Sequence, residues 1–516
     1  MTTSVRRRFA FTIGANVARA ALSFMTGMLL ARALGPESFG RMAFLLGTFL
    51  AIRQLLDLGS STAFYTFMSQ RQQSPRHVAG FFLWLGLQFT LVLIVVGFIF
   101  PAGWVDFIWH GEHRDQVLLA FAAAFMQNSV WPVVQQIGES RRLTLKVQSM
   151  GAAIACMHLL VVLMLWSMSE LAVYAVFIAI LFEYLIAAVV MLKWLSQSRP
   201  AVPMEIAGEV EREVEPLWRN YARYCAPLVP YSWIGFAYEF ADRWLLQNYG
   251  GSVQQAYYAV SAQFASVALI ATTSILNIFW KEIAEAHYRG DHERMRTLYR
   301  QISRTLFLVG AIIAGFLSPW SAELLRLFLS NAYANGAATL AVMFLYPLHQ
   351  SLGQIGGTMM YATERVMLSV VVGILFMSLS IGVTYFVLAP ADARVPGLGL
   401  ASMGLALKMV ALQFFQANTV AFIIARLWKW PFDWAFQPVG MLGCLGCGWL
   451  THAVVTAAVG TSLPLPAVMV LGGLLYVVAV TAFVYAMPWL TGLTRTELVS
   501  NVSTVWHRTF AGFKPA

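Results

Sequence analysis

The chain has 516 residues, 59% of them hydrophobic and 14% aromatic, but only 11% charged. Globular proteins carry about 25% charged residues, so too little charge is left to cover a water-facing surface, and a soluble domain is excluded. Repeated apolar stretches of about 18 residues or more read as membrane-crossing helices, and they exclude a transmembrane barrel, whose strands alternate in polarity over roughly ten residues.

In chain order, the apolar stretches predict helices over 11–34, 41–68, 78–101, 115–137, 148–168 and 170–192. After a polar segment they continue over 221–247, 254–279, 302–327, 336–361, 366–389, 397–425, 434–459 and 464–488. The expectation is an all-α polytopic membrane protein with about 14 transmembrane helices and both termini on one side. The opening "VRRRFA", with "ARA" at 31–33, has some features of a secretory leader. A leader's apolar core runs to about 7–15 residues, whereas this run is longer and is interrupted by Asn16 and Arg19, so it is read as the first helix.

The net charge of +10 raises the question of nucleic acid, and its distribution answers it. With the N-terminus inside, 25 of the 34 Lys and Arg residues fall on inner segments, among them Arg71, Arg141, Arg142, Arg199, Arg212, Arg289, Arg294, Arg426, Lys429, Arg508 and Lys514. Only Arg32, Arg41, Arg114, Arg326 and Arg394 fall outside. That asymmetry is the positive-inside pattern, so the basic balance reports topology and no nucleic-acid partner. The four cysteines, including the "CLGC" pair Cys444 and Cys447, stand in apolar context without the four ligands a zinc site needs, so neither a metal nor another cofactor is expected.

Loops are short except at two places on the inner side. The first, near 193–220, carries "EIAGEVEREVEPLWRN"; the second, 280–304, has the pattern of an amphipathic helical hairpin. A weak repeat spans the first: "ALGPESFGRMAF" (33–44) and "NYGGSVQQAYYAV" (248–260) each place glycine at a turn, at an offset of about 215 residues. An even number of helices per unit gives both units the same orientation, as in transporters built from parallel repeats. The expected organisation is a six-helix lobe over 1–195, a cytoplasmic linker over 196–220, a second six-helix lobe over 221–430, an extra helix pair over 431–490 and a cytoplasmic tail over 491–516.

Four basic residues, Arg19, Arg53, Arg243 and Lys408, lie inside predicted helices. Facing lipid they would cost on the order of 10–14 kcal/mol together, which argues for a water-filled cavity. Thr12, Asn16, Arg19, Ser23 and Thr26 are spaced 4, 3, 4 and 3 apart and share one helix face. A hydrogen-bonded seam between helices produces a similar stripe, although it does not need a guanidinium. Arg53 and Asp57 are i, i+4, the spacing of a local ion pair. In "YEFADRWLL", Glu239, Asp242 and Arg243 share one face: either a protonatable relay for ion coupling or side chains at the outer water interface. Asp57, Glu239 and Asp242 are therefore the ion-coupling candidates. Lys408 with Gln413 and Gln416, and His349 with Gln350 and Gln354, add further polarity, and each alone also reads as packing.

"ARALGPESFG", "DRWLLQNYGG…YYAVSAQF" and "WKEIAEAHYRGDHERM" resemble, in order and spacing, the polysaccharide transporter family, the Wzx-type oligosaccharide-lipid flippases. That family shares a superfamily with the MATE multidrug exporters and the lipid II flippase. The resemblance covers about 10–430 and implies a MATE-like pair of lobes opening alternately to either side. It implies a substrate too: an undecaprenyl-diphosphate-linked oligosaccharide, moved from the inner to the outer leaflet of the bacterial inner membrane for O-antigen, capsule or exopolysaccharide. Polysaccharide polymerase and chain-length machinery are the implied protein partners. The lipid II branch uses cavity arginines early in the chain, carried over here to Arg19 and Arg53.

The chemistry of such a substrate fits the polar residues. A sugar diphosphate needs a wet cationic cavity, and its polyprenyl tail needs a lateral gap. Arg19, Arg53, Arg243 and Lys408 are the candidate phosphate partners, with arginine suited to bidentate contact, and Asn16 is a candidate for sugar hydroxyls. A MATE-like ion-coupled drug exporter is the alternative, and it would favour acidic cavity residues. A membrane glycosyltransferase would need a large outer loop or paired catalytic carboxylates outside the helices; neither is present, so an enzyme is not expected. "VPGLGLASMG" (395–404) lacks a preceding strand and implies no nucleotide.

Overall fold

The computed structural model of the chain describes residues 5–70, 75–197, 217–459 and 462–492, together with 495 and 497. Most of the expected linker 196–220 and tail 491–516, and with them Arg71, Arg199, Arg212, Arg508 and Lys514, lies outside the described residues. The described residues form helices joined by short turns, with no strand among them, and each stretch read from the sequence is predominantly helical. Ten helices among the described residues are long and apolar enough to cross a membrane by length and composition. Their outer faces are apolar: Phe98 is 85% exposed and Leu83 and Val478 are 67% exposed, which water would not tolerate over so wide a surface and lipid favours.

Helix α1 (Val5–Asp57) is too long for one crossing: its 53 residues extend about 80 Å at 1.5 Å each, against a hydrocarbon core of about 30 Å. It folds back at Gly35, with φ 75° and ψ 168°. The 60-residue helix Val229–Tyr288 does the same at Gly251, with φ 74° and ψ −178°. Only glycine takes this backbone conformation without strain. The two kinks stand 216 positions apart (251 less 35), so the repeat seen in the sequence has a backbone counterpart.

Packing divides the chain into two compact units, one of 1–260 with 377–405, the other of 261–376 with 406–516. The first thus includes segments 229–260 and 377–405, which the sequence places in the second six-helix group. The reason is a long antiparallel contact between 36–70 and 217–256. As one number rises, its partner falls: Gly40 meets Ser252, Gly47 meets Arg243, Gly59 meets Leu228, and Thr66 meets Tyr224. At Gly40 the approach is backbone to backbone. A Cβ there would lie 1.7 Å from the Ser252 carbonyl oxygen.

In the second unit, the expected hairpin near 280–304 is present as a turn between Val229–Tyr288 and the next helix, His292–Leu317. Asp291 caps the latter by accepting from Arg294 N at 3.0 Å, and Arg294 reaches back to Glu282 at 2.6 Å. The last two long helices, Phe436–Val459 and Leu465–Ala486, pack onto His292–Leu317. Gly448 allows this, since a Cβ there would stand 1.8 Å from the Gly315 carbonyl oxygen, and Tyr476 donates to the Ile312 carbonyl at 2.8 Å.

Candidate substrate cavity

Within the first unit, Arg19 opens onto a cavity of about 330 Å³. Its Nη2 donates to Asn16 Oδ1 at 3.1 Å, one turn earlier, so Asn16 orients the guanidinium. Ser23 continues the same face into the cavity, whereas Thr26, only 3% exposed, spends its hydroxyl on the Leu22 carbonyl at 2.9 Å. The predicted stripe therefore divides: its middle lines a cavity, and its end serves the helix itself. Gly151 on the facing helix (Thr144–Ser167) leaves room for the arginine, because a Cβ there would touch Arg19 Nη1 at 3.4 Å.

The other polar walls come from residues the sequence reading passed over: Gln127, Asn128, Gln135 and Tyr184. Gln127 donates to the Tyr184 hydroxyl at 3.3 Å. Gln127 and Asn128 are presented by a single wide turn, Met126–Val130, inserted between Arg114–Phe125 and Trp131–Ser140, while Gln135 comes from the latter helix and Tyr184 from Val173–Gln197. Such a π-turn carries one extra residue, rotates the helix beyond it about its axis, and is frequent at functional sites. The available signal was a pair of adjacent amides, Gln127 and Asn128, inside an apolar stretch. Next to Tyr184, the buried Glu183 holds His158 Nδ1 at 2.8 Å.

A second polar cluster lies along the contact of 36–70 with 217–256. Gln54 Nε2 donates to Glu239 Oε1 at 2.9 Å, with Arg243 and Arg53 in electrostatic reach of that carboxylate. Asp242, 6% exposed, accepts from the Thr384 hydroxyl at 2.7 Å. It is therefore a buried, hydrogen-bonded group and does not stand at a water interface. Arg243 lies 5.3 Å over the Tyr258 ring, and its Nη1 is buried without a hydrogen bond. Gly47 admits it, since a Cβ there would come within 2.9 Å of Arg243 Nε.

Two sequence expectations resolve differently. Among the described residues Arg53 and Asp57 form no ion pair. Asp57 instead caps the short helix Ser60–Gln70, its Oδ1 accepting from Ser61 N at 3.0 Å, Ser61 Oγ at 2.5 Å and Ser60 Oγ at 3.1 Å. Helix α1 has ended there, because Leu58 and Gly59 turn with positive φ, so the carboxylate is directed forward along the chain to the next helix. Neither Arg19 nor Arg53 has an acidic partner within ion-pair distance among the described residues. Lys408 belongs to the second unit and is 2% exposed, with its ammonium 3.9 Å from the Met409 sulfur. A ligand reaches it only after its surroundings rearrange. No group of three or more His, Cys, Asp or Glu among the described residues is placed to hold a metal ion.

Similar proteins give this geometry a context. No protein of curated function matches the sequence. The fold is similar to that of the lipid II flippase MurJ in an inward-closed conformation, at 12% identity and a TM-score of 0.66, covering 93% of this chain and 99% of that one. It is also similar to an inward-facing MATE-family multidrug resistance transporter, at 13% identity and a TM-score of 0.54, covering 83% and 97%. A third similar structure is a transporter of the same superfamily from Pyrococcus furiosus, whose reversed binding-pocket polarity is said to suggest a different function. It matches at 13% identity and a TM-score of 0.54, covering 81% of this chain and 95% of that one. A family model described as polysaccharide biosynthesis protein matches residues 5–280, more than half of the 516, and the chain, a multi-pass membrane protein with this transporter fold, belongs to that family.

Proposed function

We propose that the protein is a flippase for an undecaprenyl-diphosphate-linked oligosaccharide, carrying the headgroup from the inner to the outer leaflet of the bacterial inner membrane for surface polysaccharide synthesis. The observation that carries this reading is Arg19: a guanidinium on a polar cavity, oriented by a neutral amide and without an ion-pair partner among the described residues. Glu139 lies in electrostatic reach of Arg19 but makes no direct ion pair with it, and a charge kept inside a membrane without a close counter-ion is costly unless a ligand supplies one. An anionic headgroup does so, and the amides of Asn16, Gln127 and Asn128 match sugar hydroxyls. The cationic drug of an exporter would meet repulsion at the same place.

The working cycle follows from the charge balance. The diphosphate neutralises Arg19 and then meets Arg53 and Arg243 as the lobes 1–195 and 221–430 rock; Lys408, once uncovered, is a separate candidate contact. Both termini lie in the cytoplasm, as the basic residues indicate, and the released product goes to polymerase and chain-length machinery outside. Asp57 is committed to helix capping, which leaves Glu239 and Asp242 as the coupling groups. The test is complementation of a flippase-deficient strain with Arg19→Ala, Arg53→Ala, Arg243→Ala and Lys408→Ala, each checked for expression. Arg19→Ala is expected to abolish export and accumulate lipid-linked oligosaccharide inside. Normal export in all four would refute the assignment, and normal export with lost drug resistance would establish the exporter instead.

A further inference from the structure

A second cavity, of about 280 Å³, lies wholly within the second unit, between the start of His292–Leu317 and the end of the helix Ala401–Leu427. Its polar wall is basic. Arg296 and Arg300 are one helical turn apart on the same face, and both line it. The lining carboxylate, Asp433, is already engaged: Arg304, deeper in the helix, holds both of its oxygens at 2.8 Å, and Arg300 stands 3.6 Å away. Three guanidiniums face this one lining carboxylate, and with Glu293 counted beside Arg296 the described residues still leave a surplus of one positive charge. Among the described residues the ion-pair partner of Arg296 is Glu293, 4.0 Å away on a side chain that is 81% exposed.

The neighbouring groups define what could satisfy that charge. Ser303 Oγ is buried at the cavity wall, within interaction distance of the Tyr299 phenol, and its hydroxyl can turn to a ligand in the cavity. The opposite wall is apolar, made by Ala417, Ala421 and Ile424. Phe432 lines the cavity and is 38% exposed, and Leu427 and Trp434, close to the lining residues in the chain, are 40% and 55% exposed. Aromatic side chains interleaved with Arg426 and Lys429 mark the level of lipid headgroups, and basic pockets between membrane helices on the cytoplasmic side suit anionic heads.

We propose that this cavity binds the glycerophosphate headgroup of an anionic phospholipid, whose acyl chains stay in the bilayer. Pockets that enclose drug-sized ligands hold about 300–1,000 Å³, so this one has room for a headgroup and none for a whole lipid. The phosphate bridges Arg296 and Arg300 and accepts from Ser303, and the glycerol backbone lies against Ala421. The site touches none of the residues assigned to the substrate cavity, so it stands independently of the transport reading.

The test measures thermal stability and native-mass-spectrometric lipid retention of the purified full chain. Phosphatidylglycerol, phosphatidylcholine with the same chains, and free glycerol 3-phosphate are added in turn. Phosphatidylglycerol is expected to raise the melting temperature and remain bound where phosphatidylcholine does not. Arg296→Gln with Arg300→Gln is expected to weaken its retention about thirtyfold, at the usual contribution per basic residue. Ala421→Trp, which fills the cavity without touching a charge, is expected to abolish retention, while Arg289→Gln, on the same side but outside the cavity, leaves it unchanged. Equal retention in wild type and Ala421→Trp would overturn the proposal. So would an equal effect of free glycerol 3-phosphate, which would make this a soluble-phosphate site, or displacement by a polyprenyl diphosphate at lower concentration than phosphatidylglycerol.

Discussion

The approach of Gly40 to Ser252 makes the sharpest prediction. Replacing Gly40 by alanine places a methyl carbon 1.7 Å from a backbone carbonyl oxygen, and a real Cβ contact needs at least 3.0 Å. The segments must therefore part by about 1.3 Å, the difference of those two distances, and no side-chain rotation relieves a clash with backbone. Overpacking of this kind costs about 1–3 kcal/mol. Within a helix, Gly→Ala also brings a gain of up to about 1 kcal/mol from backbone propensity, so the control is Gly86→Ala, where nothing lies within 4 Å. If the contact belongs to one of two transport states, the cost falls on that state alone, and about 2 kcal/mol moves the equilibrium roughly thirtyfold. Hydrogen exchange of the peptides covering 33–44 and 248–260 reads the outcome. Faster exchange is expected in both for Gly40→Ala, with none in Gly86→Ala. If Gly40→Ala exchanges as slowly as the control, the close packing is not holding these segments together, and the reasoning is refuted.

Four further outcomes are expected. Gly151→Val should crowd Arg19, which a Cβ already touches at 3.4 Å; export in the complementation assay should fall as far as in Arg19→Ala at unchanged expression. Asp57→Ala removes the cap of Ser60–Gln70 and should cost about 0.5–2 kcal/mol in chemical unfolding, whereas Asp57→Asn should recover most of it, as a structural role requires. Arg304→Gln strips the bidentate partner from Asp433, which is one-third exposed, so the destabilisation should lie at or below the roughly 3 kcal/mol lower bound for buried pairs. Glu112, in the turn before Arg114–Phe125, has its carboxyl pKa raised by burial, with Arg41 at 3.8 Å only partly opposing the shift. A raised folded-state value favours the protonated form, so its stabilisation is present at low pH and is lost as the pH rises through that value. Glu112→Gln should therefore narrow the difference in melting temperature between roughly pH 4 and pH 8.

Much of the architecture is local and was legible. Apolar runs of membrane length locate the helices, because a lipid-exposed backbone must satisfy its own hydrogen bonds. The glycines at 35 and 251 were legible as turns, since no other residue sits easily at their φ. The hairpin at 280–304 was likewise readable from its amphipathic pattern, whereas its cap, Asp291, was seen only in the structure. Arg19 could be placed on a polar face from spacing alone, because i, i+3 and i+4 neighbours share a face whatever surrounds the helix.

Spacing could not supply rotation and partnership. The wide turn at Met126–Val130 swings Gln127 and Asn128 into the Arg19 cavity, and a helical wheel drawn at constant pitch misses it. Asp57 looked like a partner for Arg53 at i, i+4, but the chain bends at Leu58 and Gly59, and the cap on the following helix took the carboxylate. The burial of Asp242 and Lys408, and the grouping of 229–260 with the first part of the chain, depend on residues far away in sequence. Helix formation is settled by hydrogen bonds four residues apart and by the surrounding lipid, so composition and periodicity determined the elements. Which polar face meets a cavity and which meets another helix is settled by contacts between residues more than a hundred positions apart, and only the tertiary structure decided those.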